Sequence, residues 1–102
     1  MPTKEEVMKA LEVVKDPELR INVVDLGLVY NVNIDGGKVE VDMTLTTPAC
    51  PIGPMIVSQA EAVLRRLPGV EEARVNLVWD PPWTPDMMSE RLKKARAMGL
   101  LP

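Results

Sequence analysis

The most restrictive feature of this sequence is an alternating run of apolar residues that a single turn signal divides in two. From Leu28 onward, apolar residues recur at every second position, which is typical of a half-buried strand. Asp35-Gly36-Gly37 interrupts the alternation and predicts a tight hairpin turn. One face of the hairpin is therefore expected to meet a core and the other to meet water. The expected apolar face comprises Leu28, Tyr30, Val32 and Ile34, followed by Val39, Val41, Met43 and Leu45.

A capping box predicts where a helix begins ahead of this hairpin. Thr3 is placed to accept from a backbone amide of the first turn, and Glu6 follows three residues later to reach back. The apolar residues that follow have helical spacing, and Asp16-Pro17 is expected to end the helix because a residue before proline avoids the helical region. The expected buried stripe is Val7, Ala10, Leu11 and Val14.

The second half of the chain adds a helix, a strand and a last helix. A stripe of helical spacing stops at Pro68-Gly69 and comprises Ile56, Ala60, Val63, Leu64 and Leu67. Val70 to Trp79 predicts a third strand, whose expected core face comprises Ala73, Val75, Leu77 and Trp79. A last helix is expected from a Thr84 cap, with proline at its first position, to Gly99. Its expected buried residues are Met88, Leu92, Ala95 and Met98.

The order α-β-β-α-β-α predicts the fold class. It is typical of an α+β two-layer sandwich in which helices cover one face of a three-stranded sheet. A length of 102 residues fits one compact domain, so residues 1–102 are expected to form a single domain.

Composition argues against several classes of function. With 15 acidic and 12 basic residues the chain lacks the basic excess that non-specific nucleic-acid binding requires. The absence of histidine removes His-dependent catalytic triads and most zinc sites. No run approaches the roughly 18 apolar residues of a membrane span, and the charged N-terminus does not resemble a signal peptide. One cysteine cannot form an intrachain disulfide, which favours a reducing cytoplasm.

Cys50 is the first candidate for chemistry. It lies in the proline-bounded segment Pro48-Ala49-Cys50-Pro51, just before the second predicted helix. Unpaired amides and the positive end of a helix dipole favour the thiolate, which is both the nucleophilic and the metal-binding form. The alternative is a small buried apolar residue, which is a common role for a free cysteine.

Asp16, Glu18 and Trp83 are further candidates. Asp16 and Glu18 straddle a proline, and their carboxylates suit a metal ion with oxygen ligands or the orientation of a neighbouring thiol. The alternative is a helix stop and turn with Glu18 in water. Trp83 follows two prolines, and with Trp79 it is a candidate docking surface for a partner.

Taken together, these segments resemble a known family, the SufT/PaaD-like iron–sulfur assembly domain, also called the metal–sulfur cluster biosynthetic protein family. The resemblance extends in order over essentially the whole chain. The matching segments are Val14-Lys15-Asp16-Pro17-Glu18, Val24-Asp25-Leu26-Gly27-Leu28-Val29-Tyr30, Met43-Thr44-Leu45-Thr46, Pro48-Ala49-Cys50-Pro51 and Trp83-Thr84-Pro85-Asp86-Met87-Met88-Ser89-Glu90.

The resemblance implies the iron–sulfur cluster assembly-like α+β sandwich and an accessory role in maturing cytoplasmic iron–sulfur proteins. It also implies that the functional positions are Cys50 and, more loosely, Asp16 and Glu18. Some relatives fuse this domain to a P-loop cluster-carrier ATPase, so any such partner is expected to act in trans. The cysteine-rich C-terminal segment of the phenylacetate-degradation branch is missing from this sequence, which disfavours an accessory role in a ring oxygenase.

The number of cluster ligands that one chain can supply limits the mechanism. An iron–sulfur cluster is normally held by four ligands, mostly thiolates, and one chain supplies one thiolate. A stable cluster within one chain is therefore not expected, and Cys50 would contact iron or a cluster transiently, shared with a partner or in a homodimer. The first alternative is a metal-free adaptor that uses Trp83 to dock client apoproteins. A cysteine-dependent enzyme is the least favoured, because no histidine can serve as its base, so the chain is expected not to be an enzyme.

Overall fold

A computed structural model describes residues 2–16, 20–46 and 53–99. The elements are α1 (Lys4–Leu11), β1 (Val29–Asp35), β2 (Lys38–Met43), α2 (Gly53–Arg65), β3 (Glu72–Leu77) and α3 (Glu90–Ala97), with a 3-10 turn (Pro85–Met87) before α3. The order α-β-β-α-β-α and the α+β class are as predicted from the sequence. None of the helices in these ranges has the length and apolar character needed to cross a membrane.

The sheet has the strand order β1-β2-β3 and is mixed. β1 and β2 pair antiparallel through a turn in which Asp35 lies opposite Lys38, and Gly36 takes a φ of +60°. This confirms the predicted hairpin, because a two-residue turn requires left-handed backbone that glycine adopts without strain. β2 and β3 pair parallel, and the connection between them contains α2. Parallel neighbours need such a crossover connection.

A shift of register in β1 changes the predicted alternation. Val29 lies opposite Met43, but the next pair is Asn31 with Asp42, so Tyr30 occupies an extra position. Such a bulge re-aims a side chain and locally interrupts the ladder. Strict alternation from Leu28 through Tyr30 was therefore wrong: Val29 is the residue opposite buried Met43.

The core lies between the sheet and the first two helices. α1 packs on α2 and β1, and α2 packs on β3. The capping box is present, with Glu6 N donating to Thr3 Oγ1 and Thr3 N donating to Glu6 Oε1, both at 3.1 Å. Most of the fully buried apolar side chains belong to the predicted faces: Val7, Leu11, Val14, Leu28, Val39, Val41, Met43, Leu45, Ile56, Ala60, Leu64, Ala73 and Val75.

The first helix is shorter than predicted, although its buried stripe is correct. α1 ends at Leu11 rather than at Asp16, and Val14 is buried beyond the helix end. Beyond Leu11 the chain pairs with a later segment, because Val23 N donates to Val14 O at 2.9 Å and Lys15 bridges Asn22. Tertiary pairing therefore replaces the helix before the proline is reached.

The C-terminal part differs most from the prediction. Residues 78–89, here called the strap, connect β3 to α3. β3 ends at Leu77, and Trp79 is 43% exposed, so its predicted core orientation was wrong. The prolines at 81 and 82 cannot donate to a ladder, which disfavours continuing the strand through them.

The last helix begins later than predicted. Thr84 precedes only the 3-10 turn, and α3 is capped by Ser89, whose side chain accepts from Leu92 N at 3.4 Å. Of the residues expected in the core, Leu92 is buried, Met88 and Ala95 are half-buried, and Met98 is 68% exposed. Met98 stands at the C-cap, past the last helical turn that could hold it against the protein.

Candidate functional site

Three connections meet at one end of the sheet. Val29 at the start of β1 lies opposite Met43 at the end of β2, which lies opposite Leu77 at the end of β3. Backbone hydrogen bonds extend this arrangement beyond the strands, with Thr44 N donating to Leu28 O and Val78 N donating to Met43 O, both at 2.8 Å. The segment before β1, the connection after β2 and the strap therefore share this end, which is called the convergent end below.

Asp16 lies in the segment that leads to the convergent end. Its N–H donates to Ile21 O at 3.0 Å, and its carbonyl accepts from Arg20 N at 2.7 Å. Arg20 takes a φ of +59°, a left-handed conformation that is uncommon outside glycine. Asp16 is 2% exposed, so its carboxylate does not face bulk water. Glu18 lies outside the described residues.

Cys50 also lies outside the described residues, but the residues on both sides of its segment are placed. Leu45, which follows β2, is buried, and Gly53 opens α2. A Cβ on Gly53 would meet Leu45 Cδ1 at 3.2 Å and Leu77 Cδ1 at 3.3 Å. The connection that carries Cys50 therefore leaves the convergent end and returns to it.

Thr44 is a buried polar residue at the start of that connection. It is 1% exposed, and its Oγ1 makes no hydrogen bond of ordinary length and angle with a described residue. The hydroxyl is nevertheless close enough to Tyr30 to lower the pKa of that phenol, against the larger raising effect of burial. The Thr44 hydroxyl is therefore shielded from water at this end of the sheet, with the Tyr30 phenol as its polar neighbour.

Asp25 is a hub that the sequence patterns did not single out. Its Oδ2 accepts from Asn22 Nδ2 at 2.7 Å and pairs with Arg91 Nη2 of α3, and its backbone carbonyl accepts from Ser89 N at 2.7 Å. These bonds tie α3 and the strap to the segment before β1. Arg91 and Ser89 lie more than sixty positions from Asp25, so no local pattern could reveal these two partners.

The charge of Asp25 is stabilised by these partners. Burial raises the pKa of Asp25, but hydrogen bonds from Asn22, Arg91 and Ser89, together with the Arg91 charge, outweigh it. The pKa of Asp25 is therefore below the ordinary value of 3.8. Because Arg91 is 75% exposed, water screens much of the ion pair and the neutral donors carry a substantial share.

This hub predicts an acid-sensitive contribution to stability. A folded-state pKa below the unfolded one adds stability that is complete above about pH 5, and it is lost as pH falls through 3.8 and below. We expect Asp25→Asn to lower the free energy of unfolding by about 1 kcal/mol at pH 7 and to have less effect at pH 3. Urea titrations at both pH values measure this.

Asp35→Asn is the matched control, because Asp35 is an exposed carboxylate at the hairpin turn. It should leave the difference between pH 7 and pH 3 close to that of the parent protein. An equal loss for Asp25→Asn at both pH values would contradict a contribution from the Asp25 charge.

Trp83 is held in place by the packing of its ring and by the hydrogen bond that its indole N–H donates. The indole is half-buried against the core, and its Nε1 donates to Leu26 O at 2.6 Å. Tyr30 Oη holds the same stretch of chain by donating to Pro81 O at 2.8 Å. The contacts give Trp83 a structural role, and its role in docking a partner stays a prediction.

The described residues contain no group of three Asp, Glu or Cys side chains close enough to hold a metal ion. The structure places Leu45 and Gly53, the described residues that flank the Cys50 segment, together at the convergent end. What it defines is a small α+β scaffold whose convergent end holds the two described flanks of the connection that contains Cys50.

Comparison with known proteins identifies the family to which this scaffold belongs. The fold matches the crystal structure of a domain of unknown function from Bacillus anthracis, with a TM-score of 0.87, 40% identity, and coverage of 93% of this chain and 92% of that one. The model of the family described as iron-sulfur cluster assembly protein matches residues 4–77. The chain belongs to that family.

This chain matches two relatives of known designation over nearly the full length of each relative. The chain is 54% identical over 81 residues to the Fe-S protein maturation auxiliary factor SufT of Staphylococcus aureus, covering 78% of this chain and 92% of the relative. It is 48% identical over 93 residues to the Fe-S protein maturation auxiliary factor YitW of Bacillus subtilis, covering 90% and 91%.

Proposed function

We propose that this protein is an auxiliary factor in the maturation of cytoplasmic iron–sulfur proteins, and that Cys50 makes transient contact with iron or a cluster in transit. The observation that carries the proposal is the family match over residues 4–77, a range that contains the only cysteine of the chain. The two relatives named as maturation auxiliary factors support it. The role is one of assistance to assembly, without a catalysed reaction of its own.

The cluster is cargo in this proposal. Iron–sulfur clusters take four ligands, and Cys50 supplies one thiolate per chain. The remaining ligands come from a second copy, from small thiols, or from a partner such as a P-loop cluster-carrier ATPase or a client apoprotein. A cluster held by so few ligands from this chain is easily passed on, which suits transfer better than storage.

Asp16 and Glu18 are proposed to support Cys50. A carboxylate near a thiol supplies an oxygen ligand to iron or orients the sulfur by a hydrogen bond. The burial of Asp16 and the backbone bonds that close its segment support this assignment, because a fixed carboxylate is a better ligand than a mobile one.

Anaerobic reconstitution with iron and sulfide tests the role of Cys50. We expect the parent protein to develop visible absorption with about one iron per chain, as for a [2Fe–2S] cluster shared by two chains, and Cys50→Ser to develop none. Asp16→Asn should retain a chromophore that decays faster. Asp86→Asn, at an exposed position in the strap, is the control and should behave like the parent.

Iron content and absorption that are the same in Cys50→Ser and in the parent protein would contradict metal contact by Cys50. A strain that carries Cys50→Ser as its only copy should in parallel show reduced activity of its iron–sulfur enzymes, with normal levels of the variant protein by immunoblot.

A metal-free adaptor is the second candidate. Trp79, an exposed residue of the strap, favours it, because aromatic side chains often anchor protein interfaces. In this case no chromophore forms in either protein, and client apoproteins bind equally to the parent and to Cys50→Ser. Trp83, half-buried in the same strap, stays the predicted partner-binding residue of this adaptor.

A further inference from the structure

A groove runs between the polar face of the sheet and the strap. Its sheet side includes Asn31 and Asp42, and its strap side includes Asp80, Pro81 and Met87. Tyr30, at the bulge of β1, lies between the two sides, and the groove encloses about 620 Å³. It opens on the side of the sheet that neither α1 nor α2 covers.

The groove carries negative charge that the described residues leave uncompensated. Asp42 and Asp80 are the charged residues among the described ones that line it, and neither is in an ion pair with a described lysine or arginine. Asp42 Oδ1 accepts from Asn76 Nδ2 at 3.2 Å, and the same nitrogen is 3.2 Å from Glu40 Oε2. One neutral amide is therefore shared between two carboxylates.

The negative potential reaches Tyr30 as well. Burial raises the pKa of the Tyr30 phenol, and the charge of Asp80 raises it further. The basic residues of this sheet face, Lys38 and Arg74, lie toward the hairpin end, with Lys38 already 3.9 Å from Glu72. No lysine or arginine is among the described residues that line the groove, so a positive charge that enters it meets carboxylates.

The groove also offers apolar contact and a fixed wall. Tyr30 Oη donates to Pro81 O at 2.8 Å and lies 3.4 Å from Met87 Sδ, so the strap side is held in place before any ligand arrives. An aromatic ring, a proline and a methionine suit the aliphatic stem of a long side chain. An arginine combines such a stem with a planar cation that pairs with carboxylates and stacks on rings.

We propose that this groove binds an arginine-bearing segment of a partner protein, with the guanidinium between Asp42 and Asp80 and the aliphatic stem against Tyr30, Pro81 and Met87. Because the groove is negatively charged, complementary charge favours a basic segment over an apolar or acidic one. The proposal stands on the groove alone and does not rest on metal contact by Cys50.

A titration of the full ¹⁵N-labelled chain with the blocked peptide Gly-Arg-Gly-Arg-Gly tests the proposal. We expect saturable shifts of the amides of Tyr30, Asn31, Asp42 and Asp80, and much smaller shifts with the same peptide carrying citrulline, the neutral isostere of arginine. Asp42→Asn with Asp80→Asn should weaken binding about fivefold. Cys50→Ser should bind as the parent does.

The control is a second double variant with the same change of net charge, Glu5→Gln with Asp35→Asn, whose carboxylates are exposed and outside this groove. It should change the affinity less than twofold. Equal weakening in both double variants, shifts spread along α1, or equal binding of the citrulline peptide would overturn the proposal, since each indicates unspecific attraction. The same shifts with Mg²⁺ alone, or on concentrating the free protein, would replace the basic segment by a metal ion or by a second copy.

Discussion

Gly27→Ala is expected to destabilise the protein by about 4 kcal/mol, enough to lower its melting temperature by about 20 °C. Gly27 takes a φ of +78°, and a Cβ there would overlap the backbone of Met87, with the carbonyl carbon at 2.7 Å. Two costs add, because the left-handed conformation is unfavourable for alanine and the strap must be displaced from the segment before β1. Thermal unfolding followed by circular dichroism measures the effect.

Gly36→Ala is the matched control for this prediction. Gly36 has a similar φ of +60°, but nothing lies within 4 Å of the position where its Cβ would be. It should therefore cost only the conformational penalty, about 1 kcal/mol. Equal losses in the two variants would show that the contact with Met87 contributes nothing, and the strap would then have to be able to move aside freely.

Trp83→Ala is expected to cost about 3 kcal/mol. The indole packs against the core, and its Nε1 bond to the carbonyl of Leu26 satisfies an acceptor of a fully buried residue. Large aromatic-to-alanine changes in a core cost about 3–5 kcal/mol, and the half-buried position of Trp83 places it at the lower limit. Denaturant titration of the purified variant gives the value.

Two further variants separate the contribution of the hydrogen bond from that of packing. Trp83→Phe keeps most of the packing and removes only the hydrogen bond, so about 1 kcal/mol should be lost. Trp79→Ala removes an equally large side chain from an exposed position and should cost less than about 1 kcal/mol. A loss for Trp79→Ala as large as that for Trp83→Ala would contradict the anchoring role. Because Trp83→Ala weakens the fold, tests of docking are better made with Trp79→Ala.

The sequence predicted those parts of the fold that depend on neighbours in the chain. The hairpin followed from alternation around Asp35-Gly36-Gly37, and the start of α1 followed from Thr3 and Glu6, because the partners in both motifs are only a few positions apart. The buried stripe of α2 was correct for Ile56, Ala60 and Leu64 for the same reason.

The errors occurred where distant parts of the chain compete with local preference. Thr84 and Ser89 are both good helix caps, and a local pattern does not reveal that Ser89 N bonds to Asp25 O. Similarly, α1 ends at Leu11 because the residues that follow it pair with residues 22 and 23. The register shift at Tyr30 is defined by the pairing of β1 with β2, so the sequence of β1 alone does not reveal it. Strand period alone assigned Trp79 to the core, although the prolines that follow it disfavour a longer strand.

The candidate site was predicted from residue chemistry, whereas its placement required the topology. Cys50 and Asp16 were singled out by their neighbours in sequence, and their role as one site stays a prediction, whereas the strand pairing shows that the flanks of the Cys50 segment lie at the convergent end. Asp25 could not be predicted, because its hydrogen-bonding partners include residues of α3 and the strap. The hydrogen-bonding partners of a buried carboxylate come together only when the chain has folded.

The parallel pairing of β2 with β3 also has a consequence for the order of folding. The two-residue turn lets β1 and β2 meet within microseconds, whereas β3 can pair only after the long connection through α2 has closed. The strap follows β3 in the chain, and we expect its bonds to form after the sheet has formed. The stability removed by Gly27→Ala should accordingly appear as faster unfolding rather than slower refolding, which stopped-flow rates at varied denaturant distinguish.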